Sequence, residues 1–147
     1  MYAFITLSDK ALRAMNNLVV LFKNIKLDIK TNVLLFDRMV APILLYSSEL
    51  WGIYDYKEID KIQLTFYKIL LGVKKQTSNI AVYGELGCYP LSILCLERSM
   101  KYVFKVVNCE KIILTVFIEH IESNIKTCWA KRVFSKLNML GLELFLD

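Results

Sequence analysis

Leu34-Leu-Phe-Asp-Arg-Met-Val-Ala-Pro-Ile-Leu-Leu-Tyr-Ser-Ser-Glu-Leu-Trp-Gly52 decides the fold class. The segment is apolar at nearly every position, with polar groups only at Asp37, Arg38, Ser47, Ser48 and Glu49. A helix that is apolar nearly all round is normally buried. Pro42 lacks a backbone donor and clashes with the preceding turn, so the helix is predicted to kink near Met39 to Ala41 or to break into two pieces. Trp51 and Gly52 close it, with Gly52 expected in the left-handed conformation that ends helices.

Outward from this stretch the spacing is helical. Ser8 or Asp9 is predicted to cap a first helix to about Asn24, with Leu12, Met15, Val19 and Phe22 inward. Ile25 to Lys30 reads as a connector, and Thr31 as the cap of the central segment. Asp55 and Glu58 have capping-box spacing, ahead of an apolar stripe of Ile59, Ile62, Phe66, Ile69 and Leu70 that stops at Gly72. The polar turn Lys74 to Asn79 follows, with Ser78 or Asn79 capping a short helix from Ile80 to about Leu86, and Gly84 and Gly87 bracketing a tight corner. Pro90 fits the first turn of a helix to about Val107, with Ile93, Leu96, Met100, Val103 and Val107 inward. Residues 112 to 121 are dense enough in β-branched residues for a strand, but their apolar spacing of three and four favours helix, and 126 to 146 read as a last helical pair broken near Gly141. The expectation is an all-α fold: one helical bundle, residues 1 to 147, around a buried, Pro-kinked central helix.

Hydrophobic residues make up 56% and charged residues 22% of the 147, too apolar for a disordered chain. The longest charge-free runs fall well short of the roughly 18 to 20 residues of a spanning helix, and the first residues lack the basic region of a signal peptide. The expectation is an intracellular protein without a membrane span, its compartment (nucleus or cytoplasm) open. Cys88, Cys95, Cys109 and Cys128 form no Cys-x-x-Cys pair and the single histidine is His120. Buried free thiols are expected, and no metal or cofactor.

No paired or clustered carboxylates suit two-metal phosphoryl chemistry, no Gly-x-Ser-x-Gly elbow accompanies His120, and Gly84-Glu-Leu-Gly87 lacks the third glycine and the lysine of a phosphate loop. The residues point away from catalysis. The net charge of +5 allows an anionic partner. Arg98, Lys101 and Lys105 fall on one helical face, with Glu97 placed to pair with Lys101, and Lys74-Lys75 stand in the basic turn. Trp129 with Lys131, Arg132 and Lys136 is a second basic and aromatic cluster. A solvated face is the commoner use of such a stripe; phosphate contact is the other.

Several blocks, read together, resemble one family. Leu35-Phe-Asp37, Val40 to Gly52, Phe66-Tyr-Lys-Ile-Leu-Leu-Gly-Val73, Val82-Tyr-Gly-Glu-Leu-Gly87 and Pro90-Leu91 are similar to the region just downstream of the polymerase core in animal non-LTR (LINE-type) retrotransposon reverse transcriptases. Ser8-Asp-Lys-Ala11 resembles the start of that region's first helix. The likeness covers about residues 5 to 107; residues 108 to 147 are an unassigned helical tail. Ser47 stands where those proteins usually have Gly, Cys88 where a basic residue is common, and Val103 where an aromatic is frequent.

The resemblance implies a non-catalytic fragment holding thumb-like and post-thumb helices without the palm and its metal-binding aspartates. It implies phosphate contacts to RNA or an RNA–DNA duplex from Lys74, Lys75, Arg98, Lys101 and Lys105. Pro42, Trp51, Gly52, Gly72, Gly84, Gly87 and Pro90 become structural markers, and Asp37 and Glu49 structural carboxylates satisfied by neighbouring groups. The partner of the apolar surface would be a palm domain in a longer parent protein. The alternative from another class is a helical module that binds a protein or a second copy of itself; a third is a relic reading frame without selected function.

Overall fold

A computed structural model describes residues 2–54, 57–108, 115, 116, 118, 119, 122, 129–139 and 141. Every regular element among them is an α-helix: α1 (Tyr2–Asn24), α2 (Ile29–Met39), α3 (Ala41–Leu44), α4 (Ser48–Trp51), α5 (Lys57–Leu70), α6 (Asn79–Leu86), α7 (Leu91–Val107) and α8 (Trp129–Met139). The fold is all-α. The chain groups into two compact units, residues 1–46 with 55–94 and residues 47–54 with 95–147. Most of 109–128, with Cys109, His120 and Cys128, lies outside the described residues, as do Asp55 of the expected capping box and residues 142–147.

In the first unit α1 begins at Tyr2, so Ser8 and Asp9 are interior to the helix and do not cap it. No breaker precedes them, and the helical period runs back through the apolar residues before Ser8. The buried row is Ala11, Met15 and Leu18, one position round from the expected stripe; Leu12 is exposed. The cap of α2 is Asp28 and not Thr31: Asp28 accepts from the Thr31 N–H at 3.1 Å and from the Thr31 hydroxyl at 2.5 Å. Those bonds hold the Asp28 carboxyl below its ordinary pKa. Fully buried Asn32 donates to the Leu27 and Asp28 carbonyls and ties the connector down.

The Leu34–Gly52 stretch divides into α2, α3 and α4. α2 ends at Met39, and Pro42 lies in the first turn of α3, where its missing donor costs nothing. The expectation of all-round burial fails. Phe36, Val40, Ala41, Leu44, Leu45 and Ser48 are buried, but Leu34, Met39, Tyr46 and Leu50 are each more than half exposed. Short helices each bury one side, so apolar residues on the other sides stay outside. The break before α4 is made by Ser47 at φ 52°, the single non-glycine with positive φ among the described residues. That region costs an L-residue about 1–2 kcal/mol.

Phe36, Phe66 and Tyr67 form the aromatic centre of this unit, with Phe36 stacked on Phe66 at 4.9 Å between centroids. α5 buries Ile59, Ile62, Phe66 and Leu70 as expected, while Ile69 lies at the edge. Gln63, a polar residue inside that stripe, is 2% exposed and fully used. Its Nε2 donates to the Tyr67 hydroxyl (3.2 Å) and the Tyr89 carbonyl (3.1 Å); its Oε1 accepts from the Tyr83 hydroxyl (3.1 Å) and the Leu91 N–H (3.0 Å). One turn back, Asp60 accepts from the Ser92 N–H (3.0 Å) and hydroxyl (2.7 Å). The first turn of α7 is therefore capped by side chains of α5. Pro90 precedes that turn and its carbonyl accepts from Ile93. Gly84 sits inside α6 and makes no corner; Gly87 alone, at φ 62°, turns the chain, its N–H and that of Cys88 bonding back to Gly84 and Tyr83.

In the second unit Ile53, Val103, Val133 and Leu137 form the core, with Leu96, Met100, Val106, Tyr54 and Trp129 packed against it. α7 buries Leu91, Cys95, Ser99 and Val103 at steps of four, which leaves Ile93 half exposed, contrary to the expected face; Val107's side chain lies outside the described residues. Gly52 is not left-handed; its φ is −63°. It is required for another reason: a Cβ there would lie closer than 3.0 Å to the carbonyl groups of Cys95 and Ser48. Beside this approach the Ser99 hydroxyl donates to the Ser48 carbonyl at 2.9 Å.

Three substitutions test these readings. Gln63→Leu strands the Leu91 N–H and the Tyr89 carbonyl and is expected to cost about 3 kcal/mol, read by urea unfolding, with faster amide exchange at Leu91. Gly52→Ala is expected to cost about 2–3 kcal/mol by forcing backbone apart, monitored by fluorescence of Trp51 and Trp129; a gain, as helix propensity alone would give, excludes the close approach. Ser47→Gly is expected to raise stability by about 0.5 kcal/mol, the relieved strain exceeding the added chain entropy of the unfolded state.

Candidate nucleic-acid interface

The basic residues singled out in the sequence fall into both units. Lys74 and Lys75 belong to the first, and Arg98, Lys101 and Lys105 to the second. All five are exposed.

Lys74 and Lys75 stand in the turn between α5 and α6. Lys68, near the end of α5, reaches across it: its Nζ donates to the Lys75 carbonyl at 2.7 Å and to Asn79 Oδ1 at 2.8 Å. Thr77 N–H closes the turn on the Lys74 carbonyl at 3.0 Å. Lys68 is thus bound by neutral acceptors, which order the turn and leave the ammonium charge uncompensated. Ser78 occupies the N-cap of α6 without a side-chain capping bond, and Asn79 faces Lys68 instead.

On α7, Glu97 and Lys101 form an i,i+4 ion pair at 2.6 Å, the contact that their spacing predicts. Lys101 holds Glu97 below its ordinary pKa. Both side chains are at least half exposed, so the pair contributes little to stability. It does neutralise the middle of the stripe. In the second cluster the Arg132 guanidinium lies 4.7 Å from the centre of the Tyr54 ring, and Trp129 meets Tyr102 edge-on at 5.8 Å. Arg132 and Trp129 of that cluster are engaged in packing.

A cleft of about 390 Å³ in the first unit is lined by Asp37, Ala41, Gln63, Tyr67, Gly87, Cys88, Tyr89, Leu91 and Leu94. Among the described residues Asp37 makes no hydrogen bond or ion pair, though Arg38 lies near it. Desolvation raises its carboxyl pKa, opposed by nearby Arg38. Burial also raises the Tyr67 and Tyr83 phenols above their ordinary pKa. Cys88 is a half-buried free thiol and Cys95 a buried one. Among the described residues no three His, Cys, Asp or Glu side chains gather to hold a metal ion, and no single helix is long and apolar enough to cross a membrane.

Two groups escaped the sequence reading. Gln63 was detectable as a polar residue inside the apolar arc of α5. Lys57, Lys61 and Lys68 recur at i, i+4 and i+11, a helical face as regular as that of α7. No family model matches the chain, nor does any curated protein or solved structure.

Proposed function

We propose that this chain is a non-catalytic piece of a LINE-type reverse transcriptase, whose thumb-like helices position RNA or an RNA–DNA duplex through phosphate contacts. The observation that carries the family reading is the backbone at Ser47. Its φ of 52° is the conformation glycine favours, and glycine is what the resembling proteins usually carry there. The exposure of Lys74, Lys75, Arg98 and Lys105 supports the phosphate contacts. Such contacts hold and orient nucleic acid without reading its sequence.

A second reading, a module that binds a protein or self-associates, is favoured by exposed apolar side chains: Ile80 is 85%, Tyr89 75% and Tyr46 66% exposed. In the first reading these residues face a palm domain of a parent protein; in the second, another chain.

The purified chain is expected to shift labelled RNA and RNA–DNA duplex with equal affinity for unrelated sequences, log K falling linearly with log salt. Light scattering across a concentration series runs beside it. Dimers that persist in salt, with no RNA shift at low salt, select the interaction module and exclude the phosphate contacts.

A further inference from the structure

The positive charge is unevenly divided. The first unit carries eleven Lys and Arg against seven Asp and Glu, the second eight against seven. On α5 the buried arc is Ile59, Ile62, Gln63, Phe66, Tyr67 and Leu70. At 3.6 residues per turn, Lys57, Lys61 and Lys68 project within about 40° of one another, on the side opposite that arc. Lys57 and Lys61 are exposed. Glu58 and Asp60 share the first turn of α5, Asp60 bonded to Ser92, but no carboxylate among the described residues lies within ion-pair distance of Lys57, Lys61, Lys68, Lys74 or Lys75, whereas Lys101 of α7 is paired.

We infer that the main phosphate-binding surface is this ridge of the first unit, Lys57 and Lys61 on α5 continuing into Lys74 and Lys75, with Lys68 a positioning residue that fixes the turn. The inference rests on the nucleic-acid reading and moves its centre from α7 to α5. Lys57 to Lys68 spans about 16 Å of helix axis, roughly five nucleotide rises of a strand. A row of ammonium point charges suits a linear polyanion and carries no base specificity. A lipid surface fits less well, since an interfacial helix buries an apolar face in the membrane. The apolar face of α5 is turned into the core, and Leu64, beside the lysines, is itself half-buried.

The test titrates a labelled oligouridine of about 20 nucleotides with the full chain, from about 50 to about 200 mM salt. Neutralising four contacts, in Lys57→Gln/Lys61→Gln/Lys74→Gln/Lys75→Gln, is expected to lower the slope of log K against log salt by about 3, and each pairwise half-variant by about 1.4. The half-variants keep the test intact if the fourfold variant does not fold. The fourfold Lys→Arg variant is expected to retain binding. Arg98→Gln/Lys101→Gln/Lys105→Gln is expected to change the slope by less than about 1. If wild type binds RNA with a salt-dependent slope but the α7 variant loses it and the ridge variants do not, the ridge is wrong and the nucleic-acid reading stands. If wild type binds no RNA, both fall. If it binds vesicles of phosphatidylserine and phosphatidylcholine and not RNA, the occupant is a membrane and the inference is overturned.

Discussion

The Gln63 amide is the constraint on which the first unit depends. A helix leaves its first N–H groups without partners, and α7 starts in a half-buried place where water cannot serve them all. Gln63 takes the Leu91 N–H and Asp60 the Ser92 N–H, both from one face of α5. The same amide holds the Tyr89 carbonyl and the Tyr83 hydroxyl, so one side chain sets the position of α6, of the Gly87 turn and of the start of α7 against α5. Because all four of its bonds are made, burial of a polar group here costs little; removing the amide exposes several unmet partners at once. Asp60 adds a negative charge near the positive end of the α7 dipole.

The second unit depends on closeness rather than on a polar network. Gly52 lets the backbone of residues 48–52 reach the backbone of α7 at Cys95, and Ser99 bonds the Ser48 carbonyl in the same row. The residues α7 buries, Leu91, Cys95, Ser99 and Val103, lie at steps of four along the ridge by which helices commonly pack. Small residues in the middle of that row permit the approach, and larger ones at its ends fill the two cores.

The all-α class and the core face of α5 were legible because amphipathic spacing survives in single helices. Helix ends were less so. Asp28 and Thr31 both cap well in the abstract, and only the extended backbone at Asp28 selects it. Ser8 and Asp9 look like caps because capping residues also occur within helices. On α7 Leu96, Met100 and Val103 pack inward as their spacing predicts, but Ile93 does not, since it fits an apolar pattern as well as Leu91 does and the Gln63 and Asp60 contacts that fix the rotation there span about thirty residues of sequence. Burial of Leu34–Gly52 was overestimated because composition does not record that the segment is cut into short helices.

The basic stripes show the same limit for function. Spacing alone makes the lysines of α7 and of α5 equivalent, since both recur on one helical face. What separates them is ion pairing, since Glu58 and Asp60 lie among the α5 lysines without pairing with them. Glu97 is one turn from Lys101 and neutralises it, whereas Lys68 finds a carbonyl and an amide oxygen, which order the chain without cancelling charge. Electrostatic attraction for a polyanion follows net charge over a Debye length of about 8 Å, so Glu58 and Asp60 temper Lys57 and Lys61 even without pairing, and Lys74 and Lys75 of the turn add most to it. A stripe is therefore better judged by its nearest carboxylates than by its count of lysines.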